Sequence, residues 1–399
     1  MISNTFKPYK FIIIFYTFYL IIALLGNLII DYIPLNPEVF LLYLVYSIFL
    51  TVGSLIAHVS PKVIHNPSFA INIKSWVLIF LVITTASSIV SWIFYIHHFG
   101  SLRYILLHGY LIRKETMGQT ESISPGILGY VSSLTYGIFI IILIKFRQSQ
   151  NKVLWVSFAV WAFLIIMLNG LRSFGRTGIL FAIFSIVSSI ILYKVPIIRA
   201  KNIFLMVVLF FGLNLPRLMR GGFDNFSSTV TNYYSHFKVN IPPIFNAITS
   251  VYIYYFSSLY SFSYMIENDK LVNTYGLKTF APIKNFISRF LTQESRIILI
   301  EPKAYIPFSH NIYSIIKDLL SDFGYFGIII FPIFLGIFIG HAFKYEGIFF
   351  DALKITIMAG IFYSPIYNVF SFGSYFISLM ALIFCAIIFK DKELSIHTN

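Results

Sequence analysis

One cysteine in 399 residues, and 15 acidic side chains against 29 basic ones, set this chain apart first by what it is short of. The lone Cys385 excludes an intramolecular disulfide and any cluster of thiolate metal ligands. Charged residues of both signs make up only 11% of the chain, less than half of the roughly 25% that solvates an ordinary soluble domain. In their place stand 58% hydrophobic residues and a mean hydropathy of +0.82. That much apolar surface cannot all be hidden in one core, so the surplus must face lipid. A formal net charge of +14 would suit nucleic acid only if it gathered in one patch. It is spread along the chain between apolar runs, and no nucleic-acid partner is expected. Residues 1–10 lead straight into an apolar run without a small-residue cleavage pattern, which reads as a retained first helix and not a signal peptide.

A hydrocarbon core of about 30 Å asks for about 20 apolar residues per crossing helix. Ten runs are candidates, several of them short for a full span and so implying tilt or unwound ends: 11–30, 39–59, 76–96, 127–144, 153–168, 179–193, 203–215, 325–342, 355–370 and 375–389. No repeat and no break in composition divides them, so residues 1–399 form one all-α, polytopic membrane domain. A long loop, 217–322, separates the seventh span from the eighth. Within it, 243–266 is apolar enough to cross, but its tyrosines and serines suit an interfacial or re-entrant helix. With the N-terminus inside, the inner segments hold Lys7, Lys10, Lys62, Lys74, Lys145, Arg147, Lys152, Lys194, Arg199, Lys201, Lys344, Lys354, Lys390 and Lys392. The short outer loops hold Arg103, Arg113, Lys114, Arg172 and Arg176. Fourteen against five is the bias of the positive-inside rule. Both termini are then cytoplasmic and the long loop extracytoplasmic.

Four arginines stand at the outer boundary on this topology. Arg172 and Arg176 are four residues apart, on one face where the sixth span begins. They sit beside a helix N-terminus, where a cation opposes the dipole unless an anion binds. Arg217 and Arg220 follow the seventh span, at a helix end that accepts cations without a ligand. Snorkelling to lipid headgroups remains the bland alternative for both pairs. Convergence of the two pairs would make a diphosphate site, because guanidinium forks grip phosphate oxygens bidentately.

The second constellation is Ser309-His310-Asn311-Ile312-Tyr313, followed by Asp318, Asp322, Gly324 and Gly327. Ile312, Ile315, Ile316, Leu319 and Leu320 recur at helical spacing, with Asn311, Ser314, Lys317, Asp318 and Ser321 opposite. This predicts an amphipathic helix lying at the outer interface. His310, at its start, is the candidate general base; Asp322 or Asp318 is its candidate orienting partner.

These residues resemble the Wzy-type oligosaccharide repeat-unit polymerases and, more distantly, the O-antigen ligases. The resemblance rests on Gly170-Leu-Arg172-Ser173 opening a helix, on Arg217 at the start of one long outer loop, and on His310-Asn311-x-Tyr313 ahead of Asp322-Phe-Gly324. It implies a C-type membrane glycosyltransferase fold in the cytoplasmic (inner) membrane, working without metal or other cofactor. Donor and acceptor would be polyprenyl-diphosphate-linked oligosaccharides on the outer face, joined by single displacement with inversion. Arg172, Arg176, Arg217 and Arg220 would then bind the diphosphate, with His310 and Asp322 catalytic. A ligase passing finished glycan to another acceptor, and a lipid-linked-glycan flippase, are the alternative functions. Sugar identity and any chain-length-regulating partner stay open. The tyrosines Tyr233, Tyr234, Tyr252, Tyr254, Tyr255 and Tyr260 offer either stacking surface for sugars or an interfacial aromatic belt.

Overall fold

Helix α1 (Pro8–Leu25) shows how the chain is built. Ile12, Phe15, Tyr16, Tyr19, Leu20 and Ala23 are buried, a stripe at three- and four-residue spacing. On the other side Ile13, Ile14 and Phe18 are 49%, 66% and 60% exposed. The side turned inward carries two tyrosine hydroxyls, and from Ile13 onward the side turned outward is aliphatic and aromatic except for Thr17. Water would penalise that outer face, whereas hydrocarbon accepts it.

The computed structural model describes residues 6–59, 72–108, 127–172, 177–194, 235–240, 242, 246–287, 302–310 and 313–390. After α1 come α2 (Pro37–Val59), α3 (Ile73–Phe99), α4 (Leu102–Leu107), α5 (Ile127–Ser133), α6 (Thr135–Gln148), α7 (Lys152–Arg172) and α8 (Thr177–Leu192). The middle of the chain holds α9 (Asn246–Phe256), α10 (Ser258–Glu267), α11 (Ala281–Ile287) and a hairpin of β1 (Ala304–Tyr305) and β2 (Ser309–His310). The chain closes with α12 (Ile315–Ala342), α13 (Ile348–Tyr363) and α14 (Gly373–Lys390). Among the described residues six helical stretches are long and apolar enough to cross a membrane: Pro8–Leu28, Pro37–Val59, Ile73–Phe99, Leu128–Gln148, Lys152–Arg172 and Ile315–Ala342. Thr177–Leu192 and Gly373–Ala386 are apolar but shorter. The protein is thus a predominantly helical membrane protein. The expected seventh span, 203–215, lies outside the described residues, as do Arg176, Arg217 and Arg220.

Two boundaries differ from expectation for identifiable reasons. Pro365 is expected inside the ninth span; instead α13 starts at Ile348 and ends at Tyr363, with Ser364 still in the α region (φ −57, ψ −31), because Pro365 has no N–H to carry the helical hydrogen bonds further. The helix Ile315–Ala342 runs on from the expected interfacial segment into the expected eighth span, with one break at Gly324 (φ 61, ψ −157). Only glycine takes that conformation readily. The segment 315–323 is therefore a separate helix set at an angle to the span.

Small residues bring the backbones of α2 and α12 close together. A Cβ on Gly53 would lie 2.2 Å from the Ile333 carbonyl oxygen, and one on Gly336 2.2 Å from that of Leu50. A Cβ on Gly340 would lie 2.5 Å from that of Ala57. Gly53 with Ala57, and Gly336 with Gly340, form two small-x-x-x-small stripes face to face. In lipid, where apolar surface alone does not drive helices together, such close approach supplies the packing.

The tyrosine- and serine-rich segment at 246–267 forms two short helices of 11 and 10 residues, neither of span length. It packs into the bundle at one end of α1. Tyr252 and Tyr260 donate to the carbonyls of Ile22 (3.1 Å) and Ala23 (2.9 Å), and Tyr255 to that of Phe362. Tyr260 also stacks on Tyr32 at 4.1 Å. These three side chains tie the segment to α1 and α13.

Candidate active site

His310 sits on β2, opposite Ala304 in the hairpin, and is 8% exposed. Its ring is held from α10: Nδ1 lies 2.7 Å from Ser261 Oγ. The other ring nitrogen, Nε2, is buried without a hydrogen-bond partner among the described residues. Burial lowers its pKa from the usual histidine value to about 3, so the imidazole is neutral near pH 7. Ser261 belongs to a group of hydroxyls at the start of α10. Ser261 Oγ donates to the Ser257 carbonyl (3.1 Å), Ser257 Oγ meets the Tyr32 hydroxyl (2.6 Å), and Ser258 Oγ meets that of Tyr19 (2.9 Å).

The acidic partners expected for His310 are engaged elsewhere. Asp322 accepts from the Thr274 hydroxyl (2.5 Å) and from the backbone N–H groups of Lys278 (3.2 Å) and Thr279 (2.7 Å). Asp318, one helical turn earlier, is ion-paired with Lys278 (3.6 Å) and Lys317 (3.5 Å). Both carboxylates thus clamp the turn at 274–280. No hydrogen bond joins His310 to either of them among the described residues.

The polar face of 315–323 is not in water. Ser314, Lys317, Asp318, Ser321 and Asp322 are all buried, Lys317 to 1% exposure with its ammonium 4.6 Å above the Tyr313 ring. The expectation of an amphipathic surface helix is corrected accordingly: the 274–280 turn covers that face, and Ser321 C=O accepts from Thr274 N–H at 2.8 Å. Buried charges persist only when paired, and Asp318 meets that demand for two lysines at once.

Arg172 ends α7 and is partly buried, with Nη1 enclosed and without a hydrogen-bond partner among the described residues. Tyr95 and Tyr136 lie close enough to act on its charge. The Tyr136 hydroxyl in turn occupies the space a side chain at Gly178 would need, 1.9 Å from an ideal Cβ. Gly178 therefore lets Tyr136 of α6 pack tightly against the start of α8.

Arg172 and His310 belong to the same end of the bundle. Tyr136 packs on Phe372 (6.3 Å), Phe372 stacks on Tyr363 (6.3 Å), and the next residue, Ser364, accepts at its carbonyl from Ile315 N–H (2.9 Å), five positions after His310. From this end an apolar groove of about 580 Å³ runs along α12 and α14, starting at Phe323 beside Asp322 and continuing past Phe326, Phe331 and Phe334 to Met380. Sequence reasoning missed Ser261, Ser257, Tyr32, Lys278 and Tyr136. Ser257 and Ser261 lie among other serines of the same segment, Ser258 and Ser263, so neither is singled out in the sequence. Among the described residues no three His, Cys, Asp or Glu side chains gather as metal ligands. Compared with protein-family models, with curated proteins and with solved structures, the chain finds no match in any of the three.

Proposed function

We propose that this protein is a membrane glycosyltransferase that joins polyprenyl-diphosphate-linked oligosaccharide repeat units on the outer face of the cytoplasmic membrane, its termini on the inner side. The observation that carries this reading is a buried, neutral imidazole at the same bundle end as an enclosed guanidinium, with neither Nε2 nor Nη1 partnered among the described residues. An acceptor sugar hydroxyl attacks the donor's anomeric carbon and the bond to the carrier diphosphate breaks. The hydroxyl proton passes to His310 Nε2, and the electron pair leaves with the diphosphate. Diphosphate is already a good leaving group; it needs its developing charge met, which Arg172 would do together with Arg176, Arg217 and Arg220. The phenylalanine-lined groove beginning at Phe323 offers the carrier's isoprenoid chain a place beside that headgroup. Single displacement inverts the anomeric configuration.

The His310-Asn311-x-Tyr313 segment favours a second reading, a ligase that passes finished glycan to another acceptor. Purified protein incubated with a lipid-diphosphate repeat unit should produce a ladder of longer glycans, and Arg172→Ala and His310→Ala should abolish it with folded protein intact. Transfer of a long glycan without any ladder would select the ligase. Passage of the intact lipid-linked unit across vesicles, without lengthening, would overturn both in favour of a transporter.

A further inference from the structure

We infer that Ser261 is a positioning residue that fixes His310 as the Nδ1–H tautomer and so leaves the Nε2 lone pair as the site's proton acceptor. Ser261 Oγ carries one proton, and the Ser257 carbonyl, 3.1 Å away, can only accept it. With that proton committed, Oγ can only accept from the ring nitrogen at 2.7 Å, which places the hydrogen on Nδ1. Ser261 is 0% exposed, so no bulk water competes for either bond.

The environment of Nε2 points the same way. It is buried and without a partner among the described residues. A buried N–H with no acceptor is rarer and costlier than an unused lone pair, so the proton belongs on the other nitrogen. The support behind Ser261 is itself fixed. Ser257 Oγ is held by Tyr32, Tyr32 stacks on Tyr260 with 6° between the rings, and Tyr260 donates to the Ala23 carbonyl of α1. The ring is thereby aimed by α10 and α1, elements far from it in sequence.

This assignment deepens the glycosyltransferase reading and rests on it for the identity of the proton that Nε2 takes; the tautomer can be measured without it. Full-length protein with ¹⁵N-labelled histidine in detergent or nanodiscs, with His310→Asn to assign the signal, should show a pyridine-type nitrogen at Nε2, coupled to both ring-carbon protons. Ser261→Ala should shift the tautomer ratio about fivefold towards Nε2–H, the equivalent of one lost hydrogen bond. Ser261→Thr, which keeps the hydroxyl, should restore it. In the elongation assay Ser261→Ala should lower kcat about tenfold at unchanged KM, again with recovery in the threonine variant. A pyridine-type nitrogen at Nδ1 in the wild type, or a Ser261→Ala spectrum identical to wild type, overturns the proposal. So does an equal loss of kcat in the alanine and threonine variants. A wild type that elongates nothing counts against the glycosyltransferase reading, while the spectra decide the tautomer on their own.

Discussion

Removing the carboxylate of Asp322 separates two roles that its position after His310 leaves confused. In the structure its oxygens receive three donors from the 274–280 turn: the Thr274 hydroxyl and the backbone N–H groups of Lys278 and Thr279. Bonds to a charged acceptor contribute about 1.5–3 kcal/mol each, and Asp322→Ala leaves all three buried donors orphaned. Because the three share one group their losses do not simply add, and a destabilisation of about 4 kcal/mol is expected. Asp322→Asn keeps one oxygen for Thr274 and Lys278 but turns an NH2 group towards Thr279 N–H, for a loss of about 2 kcal/mol. Lys278 stays tethered to Asp318 in both variants. Thermal unfolding of the purified protein in detergent should therefore rank wild type above Asp322→Asn above Asp322→Ala. Glycan elongation, normalised to folded protein, should fall far less than in His310→Ala. An Asp322→Ala protein as stable as wild type but unable to elongate would refute this reasoning and return Asp322 to the chemistry.

Gly53→Val and Gly336→Val each drive a side chain to within 2.2 Å of a backbone carbonyl across the α2–α12 contact, so the yield of folded protein should collapse. Gly373→Ala, whose Cβ meets nothing within 4 Å, is the matched control and should behave as wild type on size-exclusion chromatography. Gly178→Ala places a methyl 1.9 Å from the Tyr136 hydroxyl and should displace that ring from Arg172, lowering elongation several-fold; adding Tyr136→Phe should recover part of the lost stability in a double-mutant cycle. The His310 ring, with its folded pKa near 3, contributes no pH dependence of stability above about 6.5, where folded and unfolded states are both neutral. Below that value only the unfolded state gains the proton, so stability falls with pH at about 1.4 kcal/mol per unit until the folded pKa is reached. The wild type should accordingly lose about 2 kcal/mol more than His310→Asn between pH 6.5 and 5 by chemical denaturation.

What the sequence made legible follows from where each constraint acts. The requirement for apolar side chains falls on every residue of a span, so α1 to α3, α7 and the second half of α12 are readable as runs. A single residue decides where a helix stops or bends, and its effect has two readings: Pro365 ends a helix it was expected to kink, and Gly324 sets two helices at an angle. Arg172 stands out because a cation at an outer helix N-terminus opposes both the charge rule and the dipole, and His310 because it opens the His310-Asn311-x-Tyr313 segment. Their partners do not stand out. Ser261 is 49 positions before His310, and one hydroxyl makes no pattern. Asp322 is near His310 in sequence, yet a turn 43 to 48 residues earlier claims its oxygens. The buried Lys317–Asp318 face shows a further limit: helical periodicity separates polar from apolar sides without saying whether the polar side meets water or another buried polar segment.

The same distribution that makes this a membrane protein also places the imidazole. On α1 and α2 the tyrosines Tyr16, Tyr19, Tyr43 and Tyr46 face inward, fully enclosed, while Ile14, Leu41 and Ile48 face out at 56–66% exposure. Lipid is as apolar as those outer side chains, so association of the helices depends on packing and on polar contacts inside. The inner hydroxyls make those contacts across long separations: Tyr16 with Ser364 at 2.6 Å, Tyr19 with Ser258 at 2.9 Å, Tyr32 with Ser257 at 2.6 Å. Two of the three end on the turn of α10 that presents Ser261 to His310. The bonds that hold the bundle are therefore also the ones that aim the ring, and a group held in this way needs little rearrangement when its proton arrives. Loosening the network at Tyr19 or Tyr32, with His310 untouched, should for that reason lower the rate of proton acceptance before the bundle unfolds.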